Sequence, residues 1–183
     1  MTLDEVAAAA AKIAGGAVRP YSTFDFGWQK EPAARSLLVS NRKAERVLKA
    51  VREQLPPGFI AFLGNAQWHG KEKHIWKGEL VLACGADQFE SLRIAHTDAV
   101  NYSKSTEDLI VELKGYHGQI GIDIIWAQAD AVEFLCLALP ADLSKFSADI
   151  YQFCPDIVDQ GTESIEALAE DIRKSRRVRL WWD

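Results

Sequence analysis

The chain ends in RRVRLWWD, and that ending constrains the fold more than any other stretch. Val178, Leu180 and Trp182 alternate with Arg177, Arg179 and Trp181, the period of two that marks a strand with one covered face. An apolar strand at a chain end is tied down only by pairing, so this strand is expected inside a sheet. The residues before it, 149–176, read as a helix end, a Cys154-Pro155-Asp156 corner, an acidic loop and a further helix. A residue preceding proline is pushed out of the helical region, so Cys154 must leave the helix there. Thr162 is expected to cap the last helix, with Glu163 and Glu166 at its positive end and Ile165, Leu168, Ala169 and Ile172 facing inward.

A second constraint is the pair of runs 121–128 and 131–139, separated only by Ala129-Asp130, which predicts an antiparallel hairpin. Further short strands are expected at 37–39, 59–63 and 79–83, and a short edge strand with loops in the aromatic segment 17–32. Helices are expected over 3–14, stopped by Gly15-Gly16, and over 42–54, capped by Asn41. Three more are expected over 87–95, from the Ser105 cap to about Tyr116, and from Pro140 to Phe153. Strands and helices do not alternate strictly. The pattern predicts an α+β fold, a mixed and mainly antiparallel sheet with helices packed on it, in a single compact domain over 1–183. A soft boundary near 66–74 would set residues 1–70 apart as an N-terminal lobe.

With 183 residues the chain can bury roughly 70% of its extended surface. Val6 to Ala11, the longest early apolar run, is far short of a membrane span and lacks a basic flank, so neither export nor anchoring is expected. Cys84, Cys136 and Cys154 are odd in number and far apart, which suits reduced thiols in a cytoplasmic setting. The net charge of −5 opposes nucleic-acid binding, which needs clustered cations, and suits a basic partner better.

The runs DQFESLRIAHTDAVNY at 87–102, STEDLI at 105–110, GIDII at 121–125, YQFCPDIVDQG at 151–161 and ESIEALAEDIRKSRRVRLWWD at 163–183 carry a resemblance. Residues 75–183 resemble the bacterial family called domain of unknown function 4253, with the FCPD corner and the terminal LWWD as the most specific parts. The resemblance implies a cytoplasmic bacterial domain with this C-terminal strand; it brings no activity and no catalytic residues.

Several groups could carry chemistry. Cys154 with Asp156, and a histidine such as His96 or His117, would make a cysteine-dependent hydrolase or transferase if a base lay in reach and the thiol pKa were lowered. Buried thiol and turn-forming Pro-Asp is the structural alternative. His69, Glu72 and His74, or His96 with Asp98, lack metal-ligand spacing, so no metal is expected. Gly115, Gly118 and Gly121 follow a helix instead of preceding one, so no nucleotide or other cofactor is expected. With no coherent catalytic set, the leading reading is a non-enzymatic protein-binding domain. It would act as an immunity protein that neutralises a basic toxin domain through an acidic, aromatic-containing surface: Trp68, Asp156, Asp159, Glu163, Trp181 and Asp183. A regulatory module with a ligand groove near Trp68 and Trp181 is the remaining alternative.

Overall fold

The computed structural model describes residues 1–24, 28–65 and 77–183. The fold is α+β around one seven-stranded mixed sheet, ordered β1-β2-β4-β3-β5-β6-β7. Cα proximity divides the chain into two compact units, Met1–His96 with Ile125–Ala129, and Thr97–Ile124 with Asp130–Asp183.

The first unit begins with helix α1, Leu3–Ala14, closed at its start by a Thr2/Glu5 capping box and at its end by Gly15 at φ 74°. Strand β1, Arg19–Phe24, is the outer strand, and β2, Trp28–Ser40, is far longer than the 37–39 segment that alternation suggested. Pro32 hid it. A proline cannot donate to a ladder, yet the β1–β2 register jumps between Pro20/Tyr21, from Pro20↔Arg35 to Tyr21↔Glu31, so Pro32 sits in a bulge that needs no donor from it. After a 3₁₀ turn at Asn41–Lys43, where no side chain caps, helix α2 covers Ala44–Arg52. Strands β3, Phe59–Asn65, and β4, Lys77–Cys84, pair antiparallel, and β4 also pairs with β2. Helix α3 is Glu90–Ala95, shorter than expected, because Asp87 caps the backbone N–H of Phe89 within the preceding turn.

Register decides what each face of this unit buries. Leu37, Leu80 and Leu63 stand opposite one another and face α1 and α2, whose Val6, Ala7, Ala10, Leu48 and Val51 are buried. Each fully buried leucine contributes about 2 kcal/mol. Tyr21, Ala34, Phe62, Val81 and Ala83 form the other face, packed with Ile94 and Ala95 of α3 and with Ala127.

Helix α4, Thr106–Ile120, has the expected Ser105/Asp108 capping box. It runs through Gly115 and Gly118, whose missing side chains cost only ~1 kcal/mol each, and stops at Gly121, φ 65°. Strands β5, Ile122–Gln128, and β6, Ala131–Cys136, are neighbours in the order, as their two-residue link requires. Helix α5 is Leu143–Phe153; Asp142, and not Pro140, starts it by accepting from the Lys145 N–H. A π-helix, Ile157–Thr162, helix α6, Ile165–Ser175, and strand β7, Arg177–Trp181, complete the chain. In the second unit Tyr116 is the hub, its ring edge-on to Phe146 and Phe153 at 5.4 and 6.2 Å.

Of the pairings given by the described residues, β3–β5 is parallel, at Leu63↔Trp126, and β1–β2, β2–β4, β3–β4 and β6–β7 are antiparallel, so the expected mainly antiparallel sheet is found. One expectation about it is corrected: β7 pairs with β6 alone and lies at the sheet's edge, not inside it. Charge makes that edge tolerable, since Arg177 is ion-paired with Glu133 and Arg179 is exposed.

Candidate functional site

The corner after α5 is built by its proline. Cys154 leaves the helix at φ −137° and ψ 87°, the extended conformation that a following proline imposes. The chain then winds into the π-helix and exits through Glu163 in the left-handed region at φ 66°. Ser164, and not the expected Thr162, caps α6 by accepting from the Ala167 N–H. Thr162 instead donates its hydroxyl to the Ile157 and Ser164 carbonyls, closing the wide π turn.

The last residues of the chain are bonded to this corner. Cys154 Sγ donates to the Trp181 carbonyl at 3.0 Å, the Asp183 N–H donates to Asp156 Oδ2 at 2.9 Å, and the Trp182 indole donates, most weakly, to the Phe153 carbonyl at 3.5 Å. Asp156 is 4% exposed, and its other oxygen accepts from the Tyr102 hydroxyl at 2.6 Å and from Gln160 Nε2 at 3.2 Å. A buried carboxylate with this many donors is solvated by protein. The bond to Asp156 in turn holds the Tyr102 phenol up at about 12. Packing completes the lock. Trp182 stands edge-on to Phe153 at 5.5 Å, and the Trp181 ring lies so close over Gly161 that a Cβ there would meet Trp181 Cη2 at 2.9 Å.

The residues named from sequence therefore separate. Cys154 and Asp156 are interior parts of the lock. Burial pushes the Cys154 thiol up to about 11, which leaves on the order of 10⁻⁴ thiolate at neutral pH, the wrong direction for a nucleophile. His117 holds the end of α4, its Nδ1 3.1 Å from the N–H and from the carbonyl of Ile122. His96 is the left-handed cap residue of α3, with Nε2 3.3 Å from Glu31. Asp159, Glu163 and Asp183 are exposed, Asp159 accepting a bond from Tyr151, and Trp181 is half-buried. Trp68, like His69, Glu72, His74 and Trp76, lies outside the described residues. Among the described residues no group of three His, Cys, Asp or Glu side chains could hold a metal, and no helix is long and apolar enough to cross a membrane.

Two features were missed from sequence. Tyr102, 54 positions before Asp156, is the partner that satisfies it, and nothing local marks that pairing. Glu79 on β4 is 3% exposed, a charged residue deep in the sheet. Its flanking apolar run, Leu80 to Ala83, was the available signal that a carboxyl stands in a buried strand.

An α+β domain whose C-terminal strand is bonded back onto a Cys-Pro-Asp corner is the class that this geometry defines. The chain belongs to the family Domain of unknown function (DUF4253), whose profile matches residues 79–183, from the buried Glu79 to the final Asp183. Neither a curated protein nor a solved structure matches the chain.

Proposed function

We propose that the protein is a non-enzymatic binding domain that engages a basic protein partner through the acidic surface around its C-terminal corner. Its specific setting would be that of a cytoplasmic bacterial immunity protein neutralising a toxin domain. The observation that carries this reading is the division of labour at the corner. The groups with chemical potential, Cys154 and Asp156, are consumed by internal bonds, while Asp159, Glu163 and Asp183 stay exposed beside the half-buried Trp181. Exposed like charges repel one another and gain by meeting cations, and a net charge of −5 adds long-range steering. A thiol held at about 11 counts against the cysteine-enzyme alternative.

The test uses the purified full chain and the purified product of the adjacent gene, titrated calorimetrically at low and high salt. Binding that weakens with salt, and weakens further in the double variant Asp159→Lys/Glu163→Lys, supports the proposal. Binding unaffected by the double variant would move the interface elsewhere; no binding, together with turnover of any substrate, would remove the reading.

A further inference from the structure

On the side away from β4, strand β3 meets different surroundings at its two ends. Its last residues pair with β5 at Leu63↔Trp126, whereas its start, Phe59 to Ala61, borders a cavity of about 450 Å³ in the first unit. Alternation shows which backbone groups face that cavity. The Gly85 N–H donates to the Gly58 carbonyl at 3.0 Å, so the bonds to β4 continue through Ile60 and Phe62, and the N–H and C=O of Phe59 and Ala61 point the other way. Arg52 confirms this direction, since its Nε donates to the Ala61 carbonyl at 2.8 Å. Opposite charges stand at the two ends of the stretch. The Arg52 guanidinium lies at the Ala61 end, and Asp87, shortly after Gly85, lies at the Gly58 end. Half-buried Leu55, Pro56 and Ile60 supply apolar lining, and Ile60 packs against the cluster of Phe62 and Val81.

We propose that this cavity binds a free α-amino acid with an apolar side chain, laid beside Ile60 as a one-residue parallel strand. In a parallel ladder the added residue donates its N–H to the carbonyl before its neighbour and accepts from the N–H after it. Beside Ile60 those groups are the Phe59 carbonyl and the Ala61 N–H, which suit an ammonium and a carboxylate in turn. The charges run the same way. A ligand parallel to β3 turns its ammonium towards Asp87 and its carboxylate towards Arg52, whereas a reversed one would set carboxylate against carboxylate. Asp87 Oδ1 accepts from the Phe89 N–H at 2.9 Å, and a carboxylate has a second oxygen to offer an ammonium. A guanidinium carries five N–H donors; the bond to Ala61 takes one of them and fixes the plane of the rest. One cation and one anion in the lining favour a ligand without net charge over a phosphate or a polyamine. The ligand side chain stands on the Ile60 side, against apolar lining, in a cavity whose volume is that of a small-molecule site.

The experiment titrates the full chain with L-leucine and L-phenylalanine near neutral pH, read by calorimetry and thermal shift. Three analogues each remove a feature: 4-methylpentanoate lacks the ammonium, 3-methylbutylamine lacks the carboxylate, and N-acetyl-leucine amide keeps a strand-like backbone without either charge. The expected result is saturable binding of an amino acid, with each analogue weaker by about tenfold or more. Asp87→Asn keeps an oxygen for the Phe89 N–H, so it should fold as wild type does by circular dichroism. It should weaken the amino acid about tenfold and leave 4-methylpentanoate unchanged. If neither amino acid saturates the chain, or if Asp87→Asn binds them as wild type does, the proposal fails. It fails equally if N-acetyl-leucine amide binds as tightly as leucine, which would mark a groove for a peptide strand instead. None of these outcomes depends on a protein partner at the C-terminal corner.

Discussion

Replacing Asp156 by alanine tests whether the C-terminal corner is the lock its hydrogen bonds describe. The substitution removes the acceptor of Tyr102 at 2.6 Å, of the Asp183 N–H at 2.9 Å and of Gln160 at 3.2 Å, all serving one carboxylate that is 4% exposed. Bonds to a charged acceptor contribute about 1.5–3 kcal/mol each when partners stay buried, but Tyr102 and Asp183 can turn to water, so the summed loss is about 2–4 kcal/mol. For a chain of this length each kcal/mol moves Tm by about 2–4 °C, which predicts a fall of roughly 4–16 °C. Asp156→Asn should lose about half as much, because one amide oxygen can still accept while its NH₂ meets donors. Thermal unfolding followed by circular dichroism gives the first readout. Thiol labelling gives a second: Cys84 is exposed and reacts first, while Cys136 and Cys154 are buried and react slowly. Loosening the corner should accelerate Cys154 alone. A Tm within about 1 °C of wild type and an unchanged Cys154 rate would refute the lock.

Other perturbations follow from the same geometry. Gly161→Ala places a Cβ 2.9 Å from Trp181 Cη2, so the indole must move; a loss of about 1–3 kcal/mol and a shifted tryptophan emission are expected. Ser164→Ala should cost about 1 kcal/mol by removing the cap of α6, measured by denaturant unfolding, with no change in the thiol rates. Glu79→Gln should raise stability at pH 8 and flatten its pH dependence. The native carboxyl, at about 7 against an unfolded value of 4.5, holds its proton more tightly when folded, so wild-type stability falls as pH rises from 4.5 to 7, by about 3 kcal/mol relative to the variant. A variant whose stability runs parallel to wild type across that window would show that Glu79 ionises normally.

Period and punctuation carried most of the fold. The run LDEVAAAAAKIA between Thr2 and Gly15, the Ser105/Asp108 box and the apolar face of α6 are local signals, and each produced its helix within a few residues. Failures came where a tertiary partner overrode a local cue. Pro32 implied a broken strand, but a bulge absorbed it within β2. Thr162 looked like a cap because helix starts favour it, yet the π turn lengthened the corner and handed the cap to Ser164. Trp182 implied an interior strand, but its burial comes from Phe153 and the corner, on a strand with a single partner. At the site, Cys154 and Asp156 could be picked out by type and spacing, but burial and bonding, which no spacing encodes, decided that they are structural.

The two buried carboxyls among the described residues show how differently interior polar groups bear on stability. Asp156 has a donor for each oxygen, drawn from Tyr102, Gln160 and the backbone of Asp183; nothing remains for a ligand to satisfy. A saturated network of this kind fixes one arrangement of the chain, and its loss is read as lost stability. Glu79 stands instead in a strand otherwise filled by Leu80, Val81, Leu82 and Ala83, with the Ser36 hydroxyl bonded to it and the Arg19 guanidinium as its counter-charge. Valine or leucine at position 79 would extend that apolar run without the desolvation that lifts the Glu79 carboxyl. A carboxyl that burial holds at about 7 makes stability a function of pH near neutrality. The two carboxyls thus respond oppositely to substitution: Asp156→Ala should unfold the chain sooner, whereas Glu79→Gln should steady it at pH 8.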